Sequence, residues 1–309
     1  MSTPSHYVAR WVELLAHGQA LRAPIEARPR APRPAPGANA PTCMLLSPHP
    51  DDEAIQAALP LRLAREAGWH VLNCAVTFGS NRSRRRQRLA ELQASCSVLG
   101  FALERLDPTE ALGLDAVTTQ TRDLDSERWD RHCERLRTAL ITHRPALVLA
   151  PHAEDAHPTH RGTHRLLVDV IARMAQADEP LPRWVALTEY WAPLATPNLL
   201  VEVDVDTAAT MVEALACHWG EVERNPYHAS LPAWLIDNRR RGSELIWGAG
   251  ADMRTIGERT PFAVLLELFS IEGTNWQRWR PELASDALWA VSPEADASSK
   301  LPARLAAHA

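Results

Sequence analysis

The sequence predicts an α/β fold of the Rossmann-like type, in which a mostly parallel sheet carries helices on both faces. The first observation is that short apolar runs alternate with helical patterns over residues 43–190. The second is that two of these runs, at 43–46 and 146–150, are each followed by a cluster of His, Asp and Glu residues. Open α/β folds place their sites at the carboxyl ends of parallel strands, which meet at one edge of the sheet. We therefore expect the functional site at that edge.

The elements of the main domain are predicted from their apolar periodicity. Strands are expected at 43–46, 71–76, 101–106, 146–150, 184–190, 199–203 and 263–271. Helices are expected at 54–67, 87–99, 128–143, 161–175 and 208–219. Gly100 is the predicted C-cap of the second helix. Residues 107–126 are polar and irregular, which indicates a long surface loop over the carboxyl edge of the sheet.

Four segments are predicted along the chain. Residues 1–23 carry an apolar stripe at helical spacing, which predicts an amphipathic helix docked on the main body. Residues 24–42 are rich in Pro, Ala and Arg and are expected to form a connector. The main domain spans 43–280, and we assign no structure to an Ala- and Pro-rich tail at 281–309. The pattern leaves open whether the first helix and the connector fold back on their own chain or join a second copy in a homo-oligomer.

Composition argues against several classes of protein. The 309 residues include 33 Lys and Arg and 38 Asp and Glu, a net charge of −5, which is unlike a nucleic-acid or acidic-membrane binder. No run approaches the roughly 18 apolar residues of a transmembrane segment, and the N-terminus lacks the layout of a signal peptide. The five cysteines form no Cys-x-x-Cys pair, which favours buried, reduced thiols. We therefore expect a cytoplasmic protein.

The two polar clusters predict a metal site. A lone Asp at the start of a helix is more often an N-cap than a ligand, but a second cluster at a neighbouring strand end favours metal binding. Two imidazoles and one carboxylate with an open position are the ligand set of a catalytic zinc, and Fe²⁺, Mn²⁺ or Co²⁺ accept the same donors. The candidate ligands are His49, Asp51 or Asp52, His157 and His160.

At these residues the sequence resembles the LmbE/PIG-L family of metal-dependent N-deacetylases. Ser-Pro-His-Pro-Asp-Asp-Glu at 47–53 is similar to the first motif of that family, and His-Pro-Thr-His-Arg at 157–161 is similar to the second, which is usually His-Pro-Asp-His-Arg. Weaker similarities lie at Arg88-x-x-Glu91 and at 214–218. The resemblance covers roughly residues 43–271.

The resemblance implies a role for each matched residue. His49, Asp52 and His160 would ligate Zn²⁺. Asp51 would be the general base that activates the metal-bound water, and His157 would act as an acid or stabilise the oxyanion. The implied activity is hydrolytic removal of an acyl group, acetyl in the simplest case, from an amino-sugar substrate. Metal catalysis suits an amide, a poor electrophile, because the metal lowers the pKa of water and polarises the carbonyl.

Five further residues have two interpretations each. Glu53 either supports the site through a hydrogen bond to a ligand or is a first-turn glutamate favoured by the helix dipole. Asp155 either orients a histidine or belongs to a turn. His218 either contacts a sugar hydroxyl or is a core residue. Arg82 and Arg84, in an Arg-rich loop, either bind an anionic group of the substrate or lie on a solvated helix start.

Two rival functions remain. A metal-dependent amidase acting on another amide conjugate would share the site and differ in its loops. A catalytically silent carbohydrate- or partner-binding protein would retain a vestigial site, and Thr159, at the position where the family has Asp, favours it. The base beside the metal ligands argues against that second rival, because a binding module has no use for one.

Overall fold

The computed structural model describes residues 3–21, 37, 39–109, 112–247, 249–250, 260–279 and 289–291. These residues form a mixed sheet of nine strands, of which the first five are parallel and lie in the order β3-β2-β1-β4-β5. They are β1 (Thr42–Ser47), β2 (His70–Ala75), β3 (Ala102–Arg105), β4 (Leu147–Pro151) and β5 (Trp184–Thr188). The predicted mostly parallel α/β sheet is confirmed.

The remaining strands extend the sheet beyond β5. They are β6 (Leu199–Val203), β7 (Phe262–Glu272), β8 (Asn275–Arg278) and β9 (Trp289–Val291). Strand β7 lies between β5 and β6 and is antiparallel to both, β8 pairs with β7, and β9 pairs in parallel with β6. The segment predicted as an unstructured tail therefore contributes one strand, and its other residues lie outside the described ranges.

Helices cover both faces of the sheet. They are α1 (Pro4–Ala20), α2 (Asp52–Ile55), α3 (Ala58–Ala67), α4 (Arg85–Leu99), α5 (Thr119–Leu124), α6 (Ser126–His143), α7 (Pro158–Gln176), α8 (Val205–Ala216), α9 (Trp219–Val222) and α10 (Tyr227–Trp247). Along β1, Cys43 and Leu45 pack into the core cluster that contains α3 and α8, whereas Met44 and Leu46 pack into the cluster that contains α6 and α7. Alternate residues thus enter two different cores, which explains the continuous apolar run.

Two helices differ from the prediction in ways that affect the site. The helix expected at 54–67 is divided into α2 and α3, because Pro60 has no N–H to donate to the carbonyl of Gln56. Helix α7 begins at Pro158, three residues earlier than expected, with proline in the first turn where its missing N–H costs nothing. His160 consequently lies in the first turn of α7 rather than in the preceding loop.

The irregular regions of the prediction contain more helix than expected. The loop expected at 107–126 includes α5, and the 21-residue helix α10 was not predicted. Pro232 lies inside α10 and interrupts the helical signal in the sequence. The other boundaries agree to within about three residues, and Gly100 ends α4 with a left-handed φ of 67° as predicted.

The helix predicted within residues 1–23 forms α1 and contacts α10, but most of the apolar stripe expected to make that contact is exposed. Val8, Trp11, Val12 and Leu15 on α1 are all exposed. The helix approaches α10 at its other end, where a Cβ on Gly18 would lie 3.0 Å from Cβ of Ala229. The predicted connector lies largely outside the described residues. In the described part of the chain, no helix has the length and apolar character needed to cross a membrane.

Candidate metal centre and active site

The turn between β1 and α2 brings a histidine and a carboxylate together. The backbone N–H of His49 donates to Oδ2 of Asp52 over 2.8 Å, and His49 Nδ1 lies 3.4 Å from the same oxygen. Asp52 is 1% exposed. The pKa of this carboxyl is held well below its usual range, since the neighbouring imidazoles of His160 and His49 outweigh the effect of burial. Asp52 is therefore ionised and available to a cation.

The turn between β4 and α7 supplies two more imidazoles. His157 is the N-cap of α7, and its Nδ1 accepts the backbone N–H of Thr159 over 3.2 Å. His160 is buried, and its Nδ1 lies 3.5 Å from Oδ1 of Asp155. The same Asp155 oxygen accepts the backbone N–H of His157 over 2.8 Å. This position would allow Asp155 to orient His160, which is one of the two roles that the sequence suggested for Asp155.

Parallel pairing of β1 with β4 brings the two turns together. The ring of His49 lies 4.7 Å from that of His157 and 5.3 Å from that of His160, measured between centroids. One ring nitrogen from each of these three histidines lies within 4.8 Å of the other two. His160 Nε2 also lies 3.3 Å from Asp52 Oδ2. The cluster combines nitrogen and carboxylate donors that suit a borderline divalent metal.

The surroundings of His160 fit a metal ligand. Both of its ring nitrogens are buried without a well-aligned hydrogen bond in the described part of the chain. Burial lowers the pKa of His160, but the carboxylates of Asp52 and Asp155 outweigh this effect and raise it to about 10. The position therefore favours positive charge, and a bound divalent cation would supply that charge while leaving the imidazole neutral.

Asp51 has a backbone conformation that is rare for a residue with a side chain. Its φ is 122° and its ψ is −30°. It occupies the N-cap position of α2, yet its carboxylate makes no capping hydrogen bond, which argues against the simple N-cap interpretation. Burial, followed by the neighbouring Asp52 carboxylate, raises the pKa of Asp51 to about 8. A carboxylate tuned in this way is suited to proton exchange near neutral pH.

Glu53 connects Asp51 to two other elements. Its Oε2 accepts the backbone N–H of Asp51 over 2.9 Å, and its Oε1 accepts the hydroxyl of Ser95 over 2.5 Å. His218 Nε2 lies 2.6 Å from the same Oε1. His218 is 1% exposed and does not line the cavity beside Asp51. Of the two interpretations of His218, its burial and its contact with Glu53 fit the core residue rather than a residue that contacts a sugar hydroxyl.

A cavity of about 780 Å³ opens beside the histidine cluster. His49, Asp51, Asp52 and His157 line one part of it. The rest is lined by Arg84, Arg85, Arg88 and Arg224, together with other residues that include Thr159 in the first turn of α7. Arg82 does not line this cavity: its side chain is 80% exposed, and it donates to Oδ2 of Asp115, a residue of the cavity wall, over 2.9 Å.

Three aromatic residues and one arginine at the site were not assigned a specific role from the sequence. Tyr227, at the start of α10, donates its hydroxyl to Asp51 Oδ2 over 3.2 Å. Arg88 Nη2 lies 3.8 Å from the same oxygen. Tyr190 packs edge-on against the ring of His160, and Trp191 packs against Tyr227. Tyr190 and Trp191 follow β5, so the strand-end argument could have found them, whereas Tyr227 carries no local signal.

Comparisons with known proteins agree with this geometry. Residues 44–171 match the family model described as PIG-L: GlcNAc-PI de-N-acetylase. The chain is 24% identical over 194 residues to a probable N-acetyl-α-D-glucosaminyl L-malate deacetylase 2 of Bacillus cereus, which covers 58% of this chain and 83% of that protein.

Two solved structures share the fold. One is N,N′-diacetylchitobiose deacetylase from Pyrococcus horikoshii, with a TM-score of 0.53, 16% identity and coverage of 87% of this chain and 94% of that chain. The other is GalB, a 4-carboxy-2-hydroxymuconate hydratase from Pseudomonas putida KT2440, with a TM-score of 0.54, 16% identity and coverage of 79% and 100%. These two neighbours have different activities, so the fold alone does not assign a reaction. The sequence match is more specific, and it places the similarity to the PIG-L (LmbE-like) family domain in residues 44–171 of this chain.

Proposed function

We propose that this protein is a metal-dependent hydrolase that removes an N-acyl group, acetyl in the simplest case, from an amino-sugar-containing substrate. The observation that carries the proposal is the position of the Asp51 carboxylate beside the cluster of His49, Asp52, His157 and His160, at the wall of the 780 Å³ cavity. The amino sugar is supported by the description of the matched family and by the name of the Bacillus cereus relative.

His49, Asp52 and His160 would hold the metal in this proposal. Their donor set favours Zn²⁺, and Fe²⁺ or another divalent ion would suit the same atoms. When bound, such an ion lowers the pKa of water and polarises the amide carbonyl. Asp155, whose Oδ1 lies 3.5 Å from Nδ1 of His160, would orient that imidazole when the metal is bound, as carboxylates commonly do behind metal-binding histidines.

Asp51 would act as the general base and then as the acid. Its carboxylate lines the cavity and accepts a hydrogen bond from Tyr227, which orients it. It would take a proton from the attacking water and pass that proton to the amine as the C–N bond breaks. Arg88, near the same oxygen, favours the ionised form that begins the cycle.

His157 would stabilise the negative charge that develops on the carbonyl oxygen. Its Nδ1 accepts the N–H of Thr159, so the single proton of the neutral ring lies on Nε2. Burial and the neighbouring histidines lower the pKa of His157 to about 4, which keeps the ring neutral at pH 7. We therefore assign it the role of a hydrogen-bond donor to the oxyanion. Asp155 contacts the backbone N–H of His157 rather than its ring, and its carboxylate lies beside the ring of His160.

The first experiment combines metal analysis with an assay of acetate release. The protein is purified without added metal, bound zinc and iron are quantified, and N-acetylated sugars and sugar conjugates are assayed with and without chelator. We expect about one metal per chain and acetate release that chelator abolishes and Zn²⁺ or Fe²⁺ restores. Metal binding with hydrolysis of a different amide would favour the amidase alternative. Metal binding without hydrolysis of any amide would favour a binding protein, and failure to bind any metal would contradict the mechanism.

A further inference from the structure

A second cavity, of about 560 Å³, lies against the catalytic cavity. The two share a wall that includes Ser80, Arg85 and Asp115. Arg82 and Arg85 line one side of the second cavity, and three arginines of helix α6 line the other side. We call this cavity the basic groove, and its arginines are Arg82, Arg85, Arg128, Arg131 and Arg135.

The basic groove has an excess of positive charge. Its five guanidinium groups face two lining carboxylates, those of Asp107 and Asp115. This contrasts with the whole chain, whose net charge is −5. Asp115 is already shared, because it forms ion pairs with both Arg82, at 2.9 Å, and Arg85. One of the two carboxylates is therefore committed to two arginines.

The α6 arginines that line the basic groove have weak partners or, in the described part of the chain, none. Arg128, Arg131 and Arg135 are spaced by three and four residues and so lie on one face of the helix. Arg128 pairs with Asp125 at 3.1 Å and Arg131 with Glu127 at 3.8 Å, and these four side chains are between 40% and 90% exposed. Such exposed pairs contribute little. Arg135 has no ion-pair partner in the described part of the chain. Like charges on one helix face repel each other, and an anionic ligand would offset that repulsion.

The wall between the two cavities is held firmly in place. The backbone carbonyl oxygen of Asp115 accepts a hydrogen bond from Nε2 of the buried His132 over 2.9 Å. The loop that carries Asp115 continues to Val117, which packs closely against α7 at Gly162. A Cβ at Gly162 would lie 2.3 Å from the carbonyl oxygen of Val117, so only glycine allows this contact. The groove and the catalytic cavity therefore have a defined relative position, and one substrate molecule can occupy both.

We propose that the basic groove binds a phosphate or carboxylate group of the substrate while the acylated amine lies in the catalytic cavity. The planar fork of each guanidinium matches both oxyanions and makes charge-assisted hydrogen bonds to them. This inference rests on the proposed deacetylase function and specifies it. The preferred substrate is an N-acyl amino sugar that carries an anionic substituent, rather than a neutral free sugar.

A matched pair of substrates tests this specificity. Acetate release from N-acetylglucosamine and from its 1-phosphate is compared for the full-length wild-type protein, the Arg131→Gln/Arg135→Gln double variant and the control Arg86→Gln. Arg86 is exposed on α4 and lines neither cavity. We expect the wild type and the control to prefer the phosphorylated sugar. In the double variant kcat/KM should fall roughly tenfold for that sugar, because charge-assisted hydrogen bonds are lost, and remain unchanged for the neutral one.

Binding of inorganic phosphate provides a readout that does not depend on turnover. Phosphorus NMR line broadening should show weaker binding to the double variant than to the wild type or Arg86→Gln, and weaker binding at high salt. Equal kcat/KM for the two sugars in all three proteins, or unchanged phosphate binding in the double variant, would overturn the proposal while leaving the deacetylase function intact. Loss of phosphate binding in a protein that deacetylates no sugar would support the groove and contradict the deacetylase.

Discussion

The carboxylate of Glu53 joins His218 to the backbone of Asp51. His218 Nε2 lies 2.6 Å from Glu53 Oε1, and Glu53 Oε2 accepts the N–H of Asp51 over 2.9 Å. All three residues are buried. The negative field of Glu53 and Asp51 outweighs burial and raises the pKa of His218. A charged pair behind the proposed base therefore holds that base in its unusual conformation.

Glu53→Gln is expected to lower kcat by roughly 10- to 100-fold without loss of metal, the range seen when partners of catalytic and metal-binding residues are replaced. A glutamine has one acceptor oxygen, so it cannot accept hydrogen bonds from Asp51, Ser95 and His218 together. Turnover and metal content are measured for this variant and for Glu13→Gln, an exposed control on α1. A fall in metal content matching the fall in kcat would instead make Glu53 a determinant of metal binding.

His218→Asn should lower kcat for the same reason as Glu53→Gln, because both variants break the contact between His218 and Glu53. Because the two residues act through one contact, we expect the double variant to be little worse than the single variants. A double-mutant cycle on kcat measures this coupling. Independent, multiplicative losses would show that His218 acts through another route.

Asp51→Ala is expected to retain the metal while losing about 10²- to 10⁴-fold in kcat, the usual contribution of a general base. His160→Ala should lose both metal and activity, because His160 is a proposed ligand. Metal content by elemental analysis and acetate release distinguish the two variants. Near-normal turnover of Asp51→Ala would refute the assignment of the base.

The backbone of Asp51 predicts a stability difference between two substitutions. At a φ of 122° glycine is unstrained, whereas alanine is not. Asp51→Gly should therefore be more stable than Asp51→Ala, with a free energy of unfolding about 1 kcal/mol larger, although glycine is usually the more destabilising residue. Urea denaturation of the two variants, both lacking the carboxylate, makes the comparison. A less stable Asp51→Gly would indicate that the local backbone relaxes when the side chain is removed.

Tyr227→Phe removes the hydroxyl that donates to Asp51 Oδ2. We expect kcat/KM to fall by roughly 10- to 100-fold, since a hydrogen bond to a charged group typically contributes about 1.5–3 kcal/mol. Tyr7→Phe, on the exposed face of α1, is the matched control and should behave as the wild type. Equal kcat/KM in both variants would show that the Tyr227 hydroxyl does not contribute to catalysis.

Asp115 predicts a pH-dependent contribution to stability. Burial acts to raise its pKa, but hydrogen bonds and ion pairs from Arg85 and Arg82 outweigh burial and lower it. The unfolded chain therefore binds the proton more readily, so the contribution is complete above the ordinary Asp pKa of about 3.9 and is lost as pH falls through the folded value. The pair is partly exposed, so we expect Asp115→Asn to cost at most about 1 kcal/mol at pH 7. Urea unfolding from pH 7 to pH 3 should show the two proteins converging at the acidic end.

The proposed ligands and base could be inferred from the sequence because they lie in two short segments at strand ends. Parallel pairing of β1 with β4 follows from the alternation of strands and helices, and it brings residues 49–53 and 157–160 to one edge. The arginines were assigned less accurately. Arg84, Arg85 and Arg88 line the cavity, whereas Arg82 lies outside its lining, because the short turn at Arg82–Arg84 and the first turn of α4 determine which side chains face inward.

The sequence by itself determined the fold class, the carboxyl edge that carries the site and the polar residues of the two turns. Local periodicity and residue chemistry encode these features, and both can be read within a few consecutive residues. Only the tertiary structure decided that His218 contacts Glu53, that Tyr227 contacts Asp51 and that α6 contributes three arginines beside the catalytic cavity. These contacts join residues far apart in the chain, and they depend on how helices pack on a twisted sheet rather than on any local pattern.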